Sequence, residues 1–284
     1  MKKLLVIIIM VIAFMMPITA YADMGPKDSL TVYVINPPAE TYYLDLLTQK
    51  AESYNNFHEG EREKLNQNML SLLYSYENEG WKPALVEGTG LPMWGDLIGK
   101  PSEKGYVHKF GYVGVPDVYR IIIVTESGNV SVSDVLTRKS LYSSVTYDYS
   151  TGHTTVPSLW NSYLVQFFTT LIPTLIIEGI ILLLFGFALR ENLKIFILTN
   201  IVTQIVLTLT VGLALIRSGP ITAYLFQFPI EVIILIIESI IFARYLKGNS
   251  RKRRIAYGIV ANLASWGFGF FFLSHQFILL SKIM

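Results

Sequence analysis

The sequence predicts a membrane protein with a β-rich α+β extracytoplasmic domain followed by a four-helix transmembrane bundle of two repeated hairpins. Three observations predict it. The 284 residues are 52% hydrophobic, with mean hydropathy +0.44. That apolarity collects in four segments, at about 164–189, 195–216, 221–246 and 255–281, each long enough to cross roughly 30 Å of hydrocarbon as a helix. The charge divides at the same place. Residues 23–160 carry 11 Lys/Arg and 17 Asp/Glu, a net of −6, and residues 161–284 carry 10 and 4, a net of +6. Finally, Leu175-Ile176-Ile177-Glu178 recurs as Leu235-Ile236-Ile237-Glu238, and each copy is followed by an apolar segment with an asparagine, Asn200 and Asn262, after 22 and 24 residues.

The chain opens like a secretory signal. Lys2 and Lys3 form a charged region, residues 4–16 an apolar one too short for a comfortable span, and Pro17 breaks it. Ala20-Tyr21-Ala22 is an A-x-A site that assigns 1–22 to the signal peptide and makes Asp23 the mature start. An uncleaved anchor helix is the competing reading.

Residues 23–160 then form the extracytoplasmic domain. A strand over 29–35 ends at Pro37-Pro38, and 41–47 continues it. Leu65, Met69, Leu72, Leu73 and Tyr76 at helical spacing predict one amphipathic helix over 61–76. Residues 80–101, rich in Gly and Pro, read as loops. Runs at 118–125 and 130–136 around Glu126-Ser127-Gly128-Asn129 predict a hairpin. A last strand falls at 141–149, and 150–158 is a polar juxtamembrane linker.

The links between spans, 190–194, 217–220 and 247–254, are short and imply antiparallel neighbours. The first and third carry Arg190, Lys194, Lys247, Arg251, Lys252, Arg253 and Arg254, whereas the second carries Arg217 alone. The positive-inside rule places the first and third in the cytoplasm. Residues 23–160 are then outside, as a signal peptide requires, and so is the C-terminus. Trp160 and Tyr163 stand where an outer aromatic belt belongs.

Each span carries one polar stripe: Thr170, Thr174 and Glu178; Asn200, Thr203, Gln204 and Thr208; Gln227, Glu231, Glu238 and Tyr245; Gly258, Asn262, Ser265, Gly269 and Gln276. These faces should meet inside the bundle, away from lipid. Glu178, Asn200, Glu238 and Asn262 fall at one depth, with Glu231 nearer the midplane. Gln204, Glu231 and Ser265 would support that layer. Two hairpins of like orientation imply a pseudo-two-fold axis along the membrane normal. The layer reads either as a site for a cation or a shared proton, or as hydrogen bonds joining helices, each worth roughly 0.6 to 2 kcal/mol.

Other chemistry is harder to assemble. There is no cysteine, which excludes disulfides, thiolate metal sites and cysteine nucleophiles. His58, His108, His153 and His275 share no paired spacing, so no metal or cofactor site is expected. Nucleophile-elbow, phosphate-loop and complete dinucleotide motifs are lacking. The acidic domain does not suit nucleic acid. Its many tyrosines could form a carbohydrate or peptide platform, although tyrosine is an ordinary strand former.

The sequence also resembles a family of integral membrane proteins of Gram-positive bacteria that has no assigned activity. The resemblance rests on Asp23-Met24-Gly25-Pro26-Lys27, Tyr42-Tyr43-Leu44-Asp45-Leu46-Leu47, Gly80-Trp81 and the run from His108 to Pro116 with Tyr119-Arg120. It continues through Asn200-Ile201-Val202-Thr203 and Asn262-Leu263-Ala264-Ser265. It implies a signal peptide, an exported domain and a four-helix module, and no substrate.

The reading is therefore a non-enzymatic cell-envelope protein that displays an external binding or sensing domain on a bundle with a buried Glu/Asn layer. The alternative is an ion- or proton-coupled transporter or channel subunit using that layer. The implied partner is the lipid bilayer. Four spans are few for a self-contained carrier, so the alternative calls for a second copy or a partner membrane protein.

Overall fold

The computed structural model describes residues 25–284 apart from Ser53 and His58. The signal-peptide expectation for 1–22 falls outside the described residues.

Strand β1, Ser29–Ile35, alternates as expected, with Leu30, Val32 and Val34 turned inward. It ends at Asn36, whose φ of 47° turns the chain before Pro37-Pro38. β2, Tyr42–Thr48, does not continue β1 but begins a second sheet. Two sheets result. One runs β11-β10-β1-β6-β4, with β5 (Lys100–Ser102) beside β6. Here β4 is Trp94–Gly95, β6 Gly105–Gly111, β10 Tyr142–Asp148 and β11 Thr154–Thr155. The other runs β3-β2-β7-β8, with β3 Lys82–Pro83, β7 Val118–Thr125, β8 Val130–Val132, and β9 (Leu136–Thr137) also on β7.

The two sheets share one core. β2 is buried along its whole length and Ile121–Val124 of β7 are fully buried. A strand covered on both faces reads as a continuous apolar run. One cover is the first sheet. The other is helix α2, Gln67–Tyr74, through Met69, Leu70 and Leu73.

Several expectations are corrected here. The helix over 61–76 is two pieces, α1 (Glu59–Arg62) and α2. Asn66 divides them because its side chain accepts the N–H groups of Asn68 at 3.0 Å and Met69 at 3.3 Å, capping a new helix. The hairpin strand over 130–136 splits into β8 and β9, because Ser133 Oγ accepts the Ile121 N–H at 2.8 Å in place of a ladder carbonyl. β3, β4 and the start of β5 lie in the stretch read as loops, and β11 lies in the stretch read as a polar juxtamembrane linker. β6 was not anticipated, although it pairs antiparallel with the whole of β1. Its inward-facing His108 interrupts the alternation that marks a strand.

Beyond the β domain the chain forms three helical runs long and apolar enough to cross a membrane. The first is α3, Trp160–Leu184. The second comprises α4 (Leu189–Leu207), a π-helical turn (Thr208–Gly212) and α5 (Leu213–Tyr245). The third is α6, Arg251–Leu280, capped by Ser250. The first span ends earlier than expected, at a turn over 185–188 where Gly186 has φ 73°. Arg190 and Lys194 therefore lie in the first turns of α4 and not in a link.

The second run folds back on itself. As one straight helix its 57 residues would reach about 86 Å. Instead Asn192 Oδ1, near its start, accepts the Lys247 N–H just beyond its end at 2.7 Å. Thr203 reaches Glu238 further along, so the two limbs are antiparallel. The reversal is at Gly219, with φ 80° and ψ −177°, a conformation open essentially to glycine alone. Pro220 then starts the returning limb, where its fixed φ and missing N–H suit a first helical position.

The β domain sits on this Gly219 end. The Leu141 N–H donates to Ile216 O at 3.0 Å, and Leu141 O accepts the Ser29 N–H at 2.9 Å. Leu141, Leu215, Ile216, Leu273, Phe277, Leu280 and Met284 form one buried apolar cluster. Tyr142 packs on Phe277 with ring centroids 5.3 Å apart.

Candidate functional site: a polar cavity inside the helices

The polar stripes meet in the interior. Glu178, Asn200, Glu238 and Asn262 are each at most 4% exposed, and Gln166, Gln204, Gln227 and Gln276 are as deeply buried. Glu231 is buried and Ser265 half-buried. Leu184, Leu225 and Phe271 point outward instead. Tyr245 is a correction: it is 55% exposed and leaves the interior stripe.

These polar groups surround one cavity of about 60 Å³, which has room for about four water molecules. Its lining on α3 runs from Gln166 to Glu178, about 18 Å along the axis. Toward the Lys247 end, Phe185, Phe187 and Phe242 pack around the fully buried Tyr257, with ring centroids 5.1 to 6.0 Å from it. This aromatic floor begins about one helical turn beyond Glu238, at Phe242, and about two turns beyond Glu178, at Phe185. At the other end stands the apolar cluster beneath the β domain.

The two glutamates are held alike. Glu238 Oε1 accepts from Thr203 Oγ1 at 2.6 Å, and Glu178 Oε1 accepts from Ser265 Oγ at 2.8 Å. Each hydroxyl comes from a different helix and sits three residues after an asparagine of that helix, Asn200 or Asn262. Asn200 Nδ2 donates to Phe196 O at 3.0 Å, and Asn262 Nδ2 to Gly258 O at 2.9 Å, both one turn back. The pair differs in one respect. Glu238 Oε2 accepts from Asn262 Nδ2 at 2.8 Å, whereas Glu178 Oε2 has no donor among the described residues. Asn200 Oδ1, Gln227 Oε1 and Gln166 Oε1 are likewise bare. An ionised carboxylate removed from water is costly unless paired, so a bare oxygen on Glu178 marks a place where positive charge or a proton is favoured.

Further toward the Gly219 end, Gln204 Nε2 bonds Thr170 Oγ1, and Gln276 Nε2 bonds Thr169 Oγ1 at 2.8 Å. Gln166 was not anticipated, although it extends the stripe of Thr170 and Thr174 one turn back. Asn192 and Tyr257 were also missed, the first because it was assigned to a link, the second because a tyrosine in an apolar run gives no signal of its own. His275 is exposed and apart from the cavity.

The β domain holds two buried ionisable groups of its own. Asp45 accepts N–H bonds from Leu46 at 2.6 Å, and from Leu85 and Val86 at 3.0 Å. Burial pushes its carboxyl up to about 7, against the downward pull of those bonds. His108 Nδ1 bonds Asp96 O at 2.9 Å and Nε2 meets Tyr42 Oη at 3.1 Å. Burial lowers this imidazole to about 4, so it is neutral at pH 7. Both are buried and hydrogen-bonded pieces of core. No group of three or more His, Cys, Asp or Glu able to hold a metal occurs among the described residues.

No family model matches the chain, and no curated protein or solved structure is similar to it.

Proposed function

We propose that the chain is a non-enzymatic cell-envelope membrane protein that couples an external β domain to a four-crossing bundle with a buried Glu/Asn layer. The observation that carries this reading is the bond from the Leu141 N–H to Ile216 O beside the Gly219 reversal. A main-chain bond backed by a shared apolar cluster makes the β domain part of the bundle's end. Events in that domain then have a mechanical route to the helices.

The reading of four crossings counts α3, the two limbs of the folded-back run, and α6. Each limb about Gly219 is long enough to cross hydrocarbon by itself. Basic residues support the orientation. Arg190, Lys194, Lys247 and Arg251–Arg254 gather at the end opposite the β domain, and the positive-inside rule favours the cytoplasm for that end. The exchanged hydroxyls, Ser265 on Glu178 and Thr203 on Glu238, support two repeated hairpins about an axis along the membrane normal.

The cysteine-free chain allows a direct test. Glu126→Cys and Lys252→Cys, both at exposed positions, are treated with a membrane-impermeant maleimide on intact cells. Glu126→Cys is labelled at once and Lys252→Cys only after permeabilisation. The reverse pattern, or equal labelling of both, overturns the orientation and with it the external domain.

A second reading, ion- or proton-coupled carriage, is favoured by one observation. The cavity is lined by oxygen atoms that lack donors, Glu178 Oε2 among them. A cation, a proton or water would satisfy such atoms.

A further inference from the structure

We infer that the Glu178 end of the cavity is a binding site for one alkali cation such as sodium, held by Glu178 Oε2 and Asn200 Oδ1 and by water. The inference deepens the carriage reading by naming its ligand.

The donor set decides the chemistry. Both atoms are oxygens, both are buried, and both lack hydrogen-bond donors among the described residues. Asn200 Nδ2 donates one N–H to Phe196 O on its own helix, and the residue lines the cavity. Its Oδ1 is buried and takes no donor among the described residues. Ser265 Oγ, half-buried and already on Glu178 Oε1, offers a further oxygen at the same place. Oxygen-only ligands suit hard cations, and the lack of sulfur or imidazole excludes the softer metals.

Charge selects a monovalent ion. Glu238 has both oxygens engaged by side-chain donors, Thr203 and Asn262, so its charge is already stabilised by hydrogen bonds. Glu178 keeps one oxygen without a donor among the described residues, and one positive charge compensates it; Glu231 lines the same cavity as a third carboxylate. A divalent ion commonly takes six or more oxygens, several of them carboxylate. Water in the rest of the cavity completes the shell and serves the bare Gln227 Oε1.

The test is thermal unfolding of the purified full chain in detergent at pH 8, titrated with NaCl against choline chloride at constant ionic strength, with KCl and CaCl2 as further arms. A ligand that binds only the folded state raises Tm saturably. Wild type should show a saturable rise with Na+ above that with choline. Glu178→Gln should lose it entirely, and Asn200→Ala should weaken the apparent affinity at least about tenfold. Glu178→Gln removes a costly buried charge and should be as stable as wild type in choline, so loss of the sodium response is separable from misfolding. Equilibrium 22Na+ binding should give one site per chain, absent in Glu178→Gln. An equal response to Na+ and choline, an unchanged response in Glu178→Gln, a response to Ca2+ alone, or one to pH alone overturns the inference. Sodium binding without flux in vesicles leaves the site standing and removes the carriage reading.

Discussion

Thr203 Oγ1 lies 2.6 Å from Glu238 Oε1, and this bond ties the two limbs of one helical run across the reversal at Gly219. Thr203 is on α4 and Glu238 on α5, each deep in the helical interior. The bond does two things at once. It compensates a buried carboxylate, and it fixes the register of the antiparallel limbs.

Removing that donor should be costly. Thr203→Val keeps the shape and deletes the hydroxyl, leaving Glu238 Oε1 unpaired. The expected loss is about 1–3 kcal/mol. In a Glu238→Gln background the same change should cost much less, since the charge is gone. A double-mutant cycle of unfolding free energies measures the coupling. Additive effects would mean that the bond does not form.

The reversal itself makes a second prediction. A Cβ on Gly219 would lie 3.0 Å from Leu141 Cδ2 and 3.1 Å from Pro26 Cγ, on a backbone that L-residues rarely adopt. Gly219→Ala should therefore cost about 1–3 kcal/mol and loosen the β domain. Limited proteolysis of the exposed loop at 151–158 would report this as faster cleavage, while Gly128→Ala, also at positive φ but in open space, should leave that loop's cleavage unchanged.

The β domain predicts two opposed pH effects. His108 falls to about 4 when folded, against an ordinary 6.5. Its contribution is full above pH 6.5 and is lost as pH falls from 6.5 through 4, about 3 kcal/mol in all. Asp45, raised to about 7, acts the other way: its cost is relieved as pH falls from 7 toward 4. The two nearly cancel in wild type, so difference measurements are needed. The stability gap between wild type and His108→Gln should shift by that amount between pH 6.5 and 4, and the gap to Asp45→Asn should shift with the opposite sign. A pH-independent gap in either case would show that the group is not buried as described.

Much of the helical half was legible because its signals are physical necessities. Glu178, Asn200, Glu238 and Asn262 had to face inward, since lipid offers them no partner. Depth counting therefore placed them together before any coordinates. The boundaries were less legible. Arg190 and Lys194 looked like a link because charge ends an apolar run, yet the helix starts at Leu189, fixed by the turn at Gly186. The β domain was legible at β1 and β7, whose side chains follow simple burial patterns, and opaque at β6. There His108 points into the core, and its two ring nitrogens are satisfied by Tyr42 and Asp96, partners 66 and 12 residues away. Such compensation is invisible in a local pattern. Asn66 and Ser133 altered elements in the same way, by offering the backbone a side-chain partner.

By this reading the β domain is docked on the helices and not merely tethered to them. Tyr142 and Phe277, in contact across that junction, are changed together to cysteine in the cysteine-free chain, with a protease site placed in the loop at 151–158. A short bifunctional thiol reagent is applied in native membranes before cleavage. The account predicts that the two fragments stay joined on a denaturing gel, and that a control pair at Val130 and Phe277 separates. Fragments that separate equally for both pairs would show a domain swinging free on its linker, and would contradict the coupling.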